Sequence, residues 1–181
     1  MFRYLRQLWH SEDLRKRILI TLFLLFIYRL VAHITVPGTD PLALKDFLGT
    51  RGGVGAVGIF AALTGGAIDN FSVVMLGLSP YINASIIMQL STVIFPKLEA
   101  ISKEGAHGQQ KINRYTRYLA IPLAFVQSYG FLMLLGSGGV DLVDLSFPGV
   151  LFPMLFVTTG SLFIMWLGEL ITEKGIGNGI S

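Results

Sequence analysis

The chain has 181 residues, 52% hydrophobic and 14% charged, with a formal net charge of +3 and a mean hydropathy of +0.65. Soluble domains carry about a quarter charged residues, so this composition, with its apolar residues in long blocks, places the chain in the membrane class. The lack of cysteine excludes disulfides, thiolate catalysis and Cys-based metal sites. The mild basicity needs no nucleic-acid partner, since membrane proteins concentrate Lys and Arg in cytoplasmic loops.

Residues 1–17 form a basic lead. Arg3, Arg6, Arg15, Lys16 and Arg17 outweigh Glu12 and Asp13, and Leu5, Leu8 and Trp9 fall at helical spacing. It reads as an amphipathic helix lying on the cytoplasmic leaflet. Residues 18–36 are the first span, just long enough to cross. Arg29 within it, and no small-x-small pattern before Pro37, argue against a cleaved signal peptide. Arg29 either faces the bundle or a wet cavity or snorkels to the outer interface.

Residues 37–71 form an external loop that opens on a Pro-Gly-x-Asp-Pro turn. Gly52 to Ala62, followed by Leu63-Thr64-Gly65-Gly66, is apolar, glycine-rich and too short to span. A re-entrant or cavity-filling segment fits, because irregular backbone at membrane depth is tolerated where protein buries it or where it lines water. Residues 72–95 are the second span. It carries Gly77, Pro80, Asn83 and Gln89, which cost free energy in hydrocarbon unless they are satisfied. A cavity or a partner helix is therefore expected beside it.

Residues 96–117 form a basic loop, with Lys103-Glu104-Gly105 and Gly108 marking a hairpin tip. Residues 118–135 are the third span, with Pro122 in its first turn, where proline is tolerated. Residues 136–149 are an external loop with Asp141 and Asp144 and no Lys or Arg. Residues 150–171 are the fourth span, with Trp166 as an anchor near its inner end, and 172–181 are a tail. Eleven of the fourteen Lys and Arg residues fall in the lead, the 96–117 loop and the tail. This bias puts both termini and that loop in the cytoplasm, in agreement with four crossings. The fold class expected is an all-α, multi-pass membrane protein.

No enzyme signature is readable. Gly53-Val54-Gly55-Ala56-Val57-Gly58 fits G-x-G-x-x-G, but no strand precedes it and no βαβ unit surrounds it, so it reads as close-packing small residues. His10, His33 and His107 lack metal-ligand spacing. No Asp or Glu lies in the core of a span, so no carboxylate proton relay is visible. No cofactor is expected.

At about 100° per residue, with Leu78 at zero, Ile82 falls near 40°, Ser85 near −20° and Gln89 near 20°. These four share a stripe. If the span runs from outside to inside, Leu78 and Ile82 sit at mid-depth and Ser85 and Gln89 nearer the cytoplasm. An apolar constriction beside a wettable entrance is one way channels exclude ions. Ser79, Asn83, Ile86 and Leu90 form a second stripe about a quarter-turn away. The alternative is that these small and amide residues only bond neighbouring helices.

Four segments resemble the SecY family, the core subunit of the bacterial protein-conducting channel. They are Val36-Pro37-Gly38-Thr39-Asp40; Gly65-Gly66-Ala67 through Gly77-Leu78-Ser79-Pro80-Tyr81-Ile82-Asn83-Ala84-Ser85 to Leu90; Lys103-Glu104-Gly105 through Asn113-Arg114-Tyr115-Thr116-Arg117-Tyr118; and Trp166-Leu167-Gly168-Glu169 through Gly179-Ile180-Ser181. The resemblance implies two inverted helical halves clamped around an hourglass pore. It implies that Gly58-Ile59-Phe60-Ala61-Ala62-Leu63-Thr64-Gly65-Gly66-Ala67-Ile68-Asp69-Asn70 is a re-entrant plug helix. Leu78 and Ile82 would be this half's share of the pore ring, with Ser85 and Gln89 in the vestibule. Asn83, Ile86 and Leu90 would belong to a lateral gate. The implied partners are SecE, SecG, the SecA ATPase or a translating ribosome, a nascent polypeptide, membrane lipid, and the C-terminal half of the same protein. The implied location is the bacterial inner membrane. The family has roughly ten spans, and the four here would be its first half, not expected to conduct alone. Two other classes remain open on the residues themselves: a small homo-oligomeric ion or solute channel, and a structural membrane subunit without a pore.

Overall fold

A computed structural model describes residues 11–37, 39, 71–137 and 147–180. The regular structure there is helical: α1 Glu12–Val31, α2 Ser79–Ile94, α3 Pro96–Lys103, α4 Ala106–Ser137 and α5 Leu151–Lys174. One antiparallel bridge, Thr35 to Ser72, is added. The segment 58–70 expected as the plug, the G-x-G-x-x-G stretch and most of the expected amphipathic lead lie outside the described residues.

The helix limits follow local chemistry and differ from the expected spans. α1 starts at Glu12 rather than at Ile18. Glu12 and Asp13 occupy its first turn and Arg29 its last, each at the end where the helix dipole favours that charge. The end of the basic lead is thus part of the same helix. α1 stops at Val31, and residues 32–36 leave it to pair with the segment that begins at Phe71. There Val36 N–H donates to Phe71 O at 3.0 Å and Val73 N–H to Ile34 O at 3.0 Å.

The second span is only partly helical. Residues 71–78 form successive turns, with Gly77 at φ +56°, and the helix begins at Ser79 with Pro80 in its first turn. Proline fits there because its missing N–H has no intrahelical acceptor. At the other end Phe95 precedes Pro96, which disfavours helical backbone at the preceding residue. Phe95 is extended, at φ −101° and ψ 112°, and α3 departs at 103° from α2.

The expected 96–117 loop is helix on both sides of a tight turn. α3 ends at Lys103, Gly105 takes φ +74°, and α4 begins at Ala106. Pro122 therefore lies inside a continuous helix, not in a first turn. It leaves the Tyr118 carbonyl without its usual donor, on a face where Tyr118, Ile121 and Pro122 are exposed. The cause is that residues 109–121 contain no breaker, so the charged residues before the apolar run simply extend the helix.

α1 packs on α5, α5 on α4, and α4 on α2, with α3 against both α2 and α4. The 71–76 segment is the keystone of the core. Phe71, Val73, Val74, Met75 and Leu76 are buried with Ala32, Val36, Leu132, Val157 and Ile164. Its backbone is satisfied internally, as apolar surroundings demand: Ser72 Oγ donates to Val31 O at 3.3 Å and accepts from Val74 N–H at 3.3 Å. α5 can approach this backbone because Gly160 faces Val73; a methyl there would run into the Val73 carbonyl. Leu24 joins Leu167 and Ile171 in a smaller seam between α1 and α5.

α4 and α5 run antiparallel, fixed by two polar contacts. Ser128 and Thr158 hydroxyls meet at 3.4 Å, and Arg117 Nε meets Glu169 Oε1 at 2.5 Å. The chain is a multi-pass membrane protein, all-helical in its described residues. α5, and Ala106–Leu134 of α4, are long and apolar enough to cross a membrane, and the bent α2–α3 pair can count as a third such element.

Candidate pore wall and gate face

The residues expected in the pore ring meet at one cavity. It has a volume of about 470 Å³ and opens between α1, the 74–78 turn, the start of α2 and the C-terminal half of α5. Leu78 and Ile82 line it, as do Ser79 and Asn83. Leu78 is the last residue before the helix, and its carbonyl accepts from Ile82 N–H at 2.9 Å. That bond fixes the two side chains one turn apart on the same side. The facing wall is apolar: Leu25 and Tyr28 from α1, and Ile164, Leu167 and Ile171 from α5. Such a surface wets poorly, which suits a constriction that excludes ions.

α2 divides sharply into two faces. Pro80, Ala84 and Met88 are buried on the side that meets α4. Ile82, Asn83, Ile86, Ile87, Gln89 and Leu90 are all exposed. The two stripes drawn at 100° per residue therefore belong to one open arc. Ile86 and Leu90 are half or more exposed, at 50% and 58%. Ser85 and Gln89 bond to each other, Gln89 Nε2 donating to Ser85 Oγ at 3.3 Å. Each partly satisfies the other on a surface otherwise apolar. Arg29 is exposed in the last turn of α1.

Sequence reasoning missed three contributors. The α5 wall around Gly168 was read only as part of a span. The tail returns along α5: Gly179 N–H donates to Thr172 Oγ1 at 3.0 Å, and Gly179 joins the cavity lining. A methyl on Gly179 would collide with the Gly168 carbonyl, so only glycine allows this approach. The third is the Arg117–Glu169 pair, whose carboxylate side chain is only 15% exposed. A carboxylate near the end of an apolar span demands a partner, and that demand was the available signal. Among the described residues no three His, Asp or Glu side chains cluster as metal ligands.

Comparison with known proteins bears on this arrangement. A family model described as SecY matches residues 72–181, more than half of the chain. The protein translocase subunit SecY of Streptomyces griseus is 42% identical over 190 residues, covering 100% of this chain and 44% of that protein. The SecY of Aquifex aeolicus is 41% identical over 189 residues, covering 100% and 43%. The chain thus spans less than half the length of these relatives. Among solved structures, one described as showing that the SecY plug domain stabilises the closed translocation channel and maintains a membrane seal superposes with a TM-score of 0.60. It shares 21% identity, over 92% of this chain and 33% of the other. Sec61 in the canine ribosome-channel complex superposes with a TM-score of 0.56 at 19% identity, over 92% and 34%. At these identities the two structures speak for the fold.

Proposed function

The chain belongs to the SecY family, and from that membership we propose that it forms the N-terminal half of a channel passing secretory polypeptides across a membrane and releasing apolar segments sideways into lipid. The observation that carries this reading is the pairing of Leu78 and Ile82 on the wall of an apolar cavity beside an unpacked helix face. Four crossings are proposed: α1, the 71–78 turn with α2, α4, and α5. The Lys and Arg bias orients them with the N-terminus and the α3–α4 region in the cytoplasm. The bacterial inner membrane is the proposed location, by analogy with the bacterial relatives.

The mechanism is passive gating. Leu78 and Ile82 exclude water from the closed pore, and residues 58–70 act as its plug from outside. A translocating chain displaces the plug and passes Ser85 and Gln89 in the vestibule. The Asn83–Ile86–Leu90 face parts from the other half to admit apolar segments to lipid. SecE, SecG, and SecA or a ribosome are the proposed partners, and energy comes from the last two.

Cysteine placed by Leu78→Cys or Ile82→Cys, in a channel completed with its C-terminal half, crosslinks to an arrested secretory chain. Val126→Cys, 66% exposed on the outer side of α4, does not. Absence of any crosslink at 78 and 82 refutes the pore-ring assignment. Crosslinks between copies at 78, without a secretory chain, point instead to a homo-oligomeric ion channel.

A further inference from the structure

Resting on the channel reading, we infer that the Arg117–Glu169 pair is a positioning device that holds the first turn of α2, and with it Leu78 and Ile82, in the closed constriction.

Four ion pairs join described residues. Lys16–Glu12, Lys103–Glu99 and Lys111–Glu104 are exposed on both sides and close in sequence. Arg117–Glu169 alone among them ties two long helices together, and its carboxylate is mostly covered. Its place explains what it can control. Leu167 and Gly168 of α5 line the cavity, and the next residue, Glu169, turns towards α4. Tyr81, in the first turn of α2, is half-buried. Ile82 beside it faces the cavity. The pair thus sits on the α4–α5 contact, next in sequence to the α5 residues that line the cavity, and α4 is the helix on which α2 packs. A covered carboxylate stays charged at low cost only while its partner remains in contact. Any shift that separates α4 from α5 here is opposed, and α2 is held with α4, on which it packs through its buried Pro80, Ala84 and Met88.

The test reads resting ion leak through the complete channel in vesicles of phosphatidylethanolamine and phosphatidylglycerol, per inserted molecule. Glu169→Gln and Arg117→Gln each raise the leak by at least about twofold, the lower end for groups in direct contact. The reversed pair, Arg117→Glu with Glu169→Arg, returns it towards wild type. A pair that served folding alone would lower yield and melting temperature and leave the leak per molecule unchanged. An unchanged leak in both single variants overturns the inference, as does a reversed pair that leaks like the singles. Crosslinking of a secretory chain to Leu78→Cys in the same vesicles separates the two levels. If it fails, the channel reading falls; if it succeeds and the leak is flat, only the positioning role falls.

Discussion

Gly160→Ala adds one methyl where α5 touches the backbone of the 71–78 turn. The new carbon would stand 2.6 Å from the Val73 carbonyl carbon and 3.2 Å from Val74 N. Carbon atoms pack at about 3.5–4.0 Å, so helix and turn must separate by about 1 Å. Relief by rotation is not available, since one side of the contact is helix and the other is backbone. Overpacking of this kind costs about 1–3 kcal/mol, and the rigid partner puts Gly160→Ala at the upper end. The separation also loosens Val157, Met75 and Leu76, which share that core, and moves the turn that leads into Leu78. Denaturant or thermal unfolding of the chain in detergent micelles measures the loss. Thr159→Ala, on an exposed neighbouring position, should stay within about 0.5 kcal/mol. A Gly160→Ala variant as stable as wild type would refute the contact between the turn and α5, and with it the placement of the turn that leads into Leu78.

Phe71 is fully buried yet has φ +46°. Truncation to Ala removes its packing and costs about 3–5 kcal/mol. Phe71→Gly loses the same packing but regains about 1–2 kcal/mol of left-handed backbone strain, so the same unfolding measurement should find it no worse than Phe71→Ala. Ser128→Ala breaks a single interhelical hydroxyl contact at 3.4 Å and should cost about 0.6 kcal/mol, the average for such bonds within membranes; a loss several times larger would show that more than this bond holds α4 to α5.

Much of the architecture was legible because it rests on local rules. Long apolar runs predicted the helices, and Pro80 and Pro96 mark the two ends of α2. The limits that sequence placed differently have specific causes. The first third of the second expected span is apolar enough for a helix, but residues 71–76 are used as core filling between α1, α4 and α5, which is a tertiary decision. Pro122 was assigned to a first turn because the preceding charges resembled a loop; in a helix rising about 1.5 Å per residue they lengthen α4 beyond the bilayer instead. The Leu78–Ile82 pairing was readable from a 100° step because it needs only one helix. Its facing wall was not, because Leu25 and Ile164 belong to segments far apart in the chain, and neither a period nor a motif links them. The Arg117–Glu169 contact was hidden for the same reason.

The bonds between α1 and the tail carry a consequence for assembly. Arg17 Nη1 donates to Gly175 O at 3.3 Å and Ile176 N–H to Thr21 Oγ1 at 3.2 Å, and the Leu24 seam closes against Leu167 and Ile171. One face of α1 is therefore completed only by α5 and the residues after it. At roughly 5–20 residues per second, α1 waits on the order of ten to thirty seconds for its partner to be synthesised. Through that interval Leu24 and Ile27 lack their α5 partners, while the 71–76 segment already covers Tyr28 and Val31. Slow elongation prolongs the exposure, and the nascent chain is most open to misassembly and proteolysis before residue 176 has emerged.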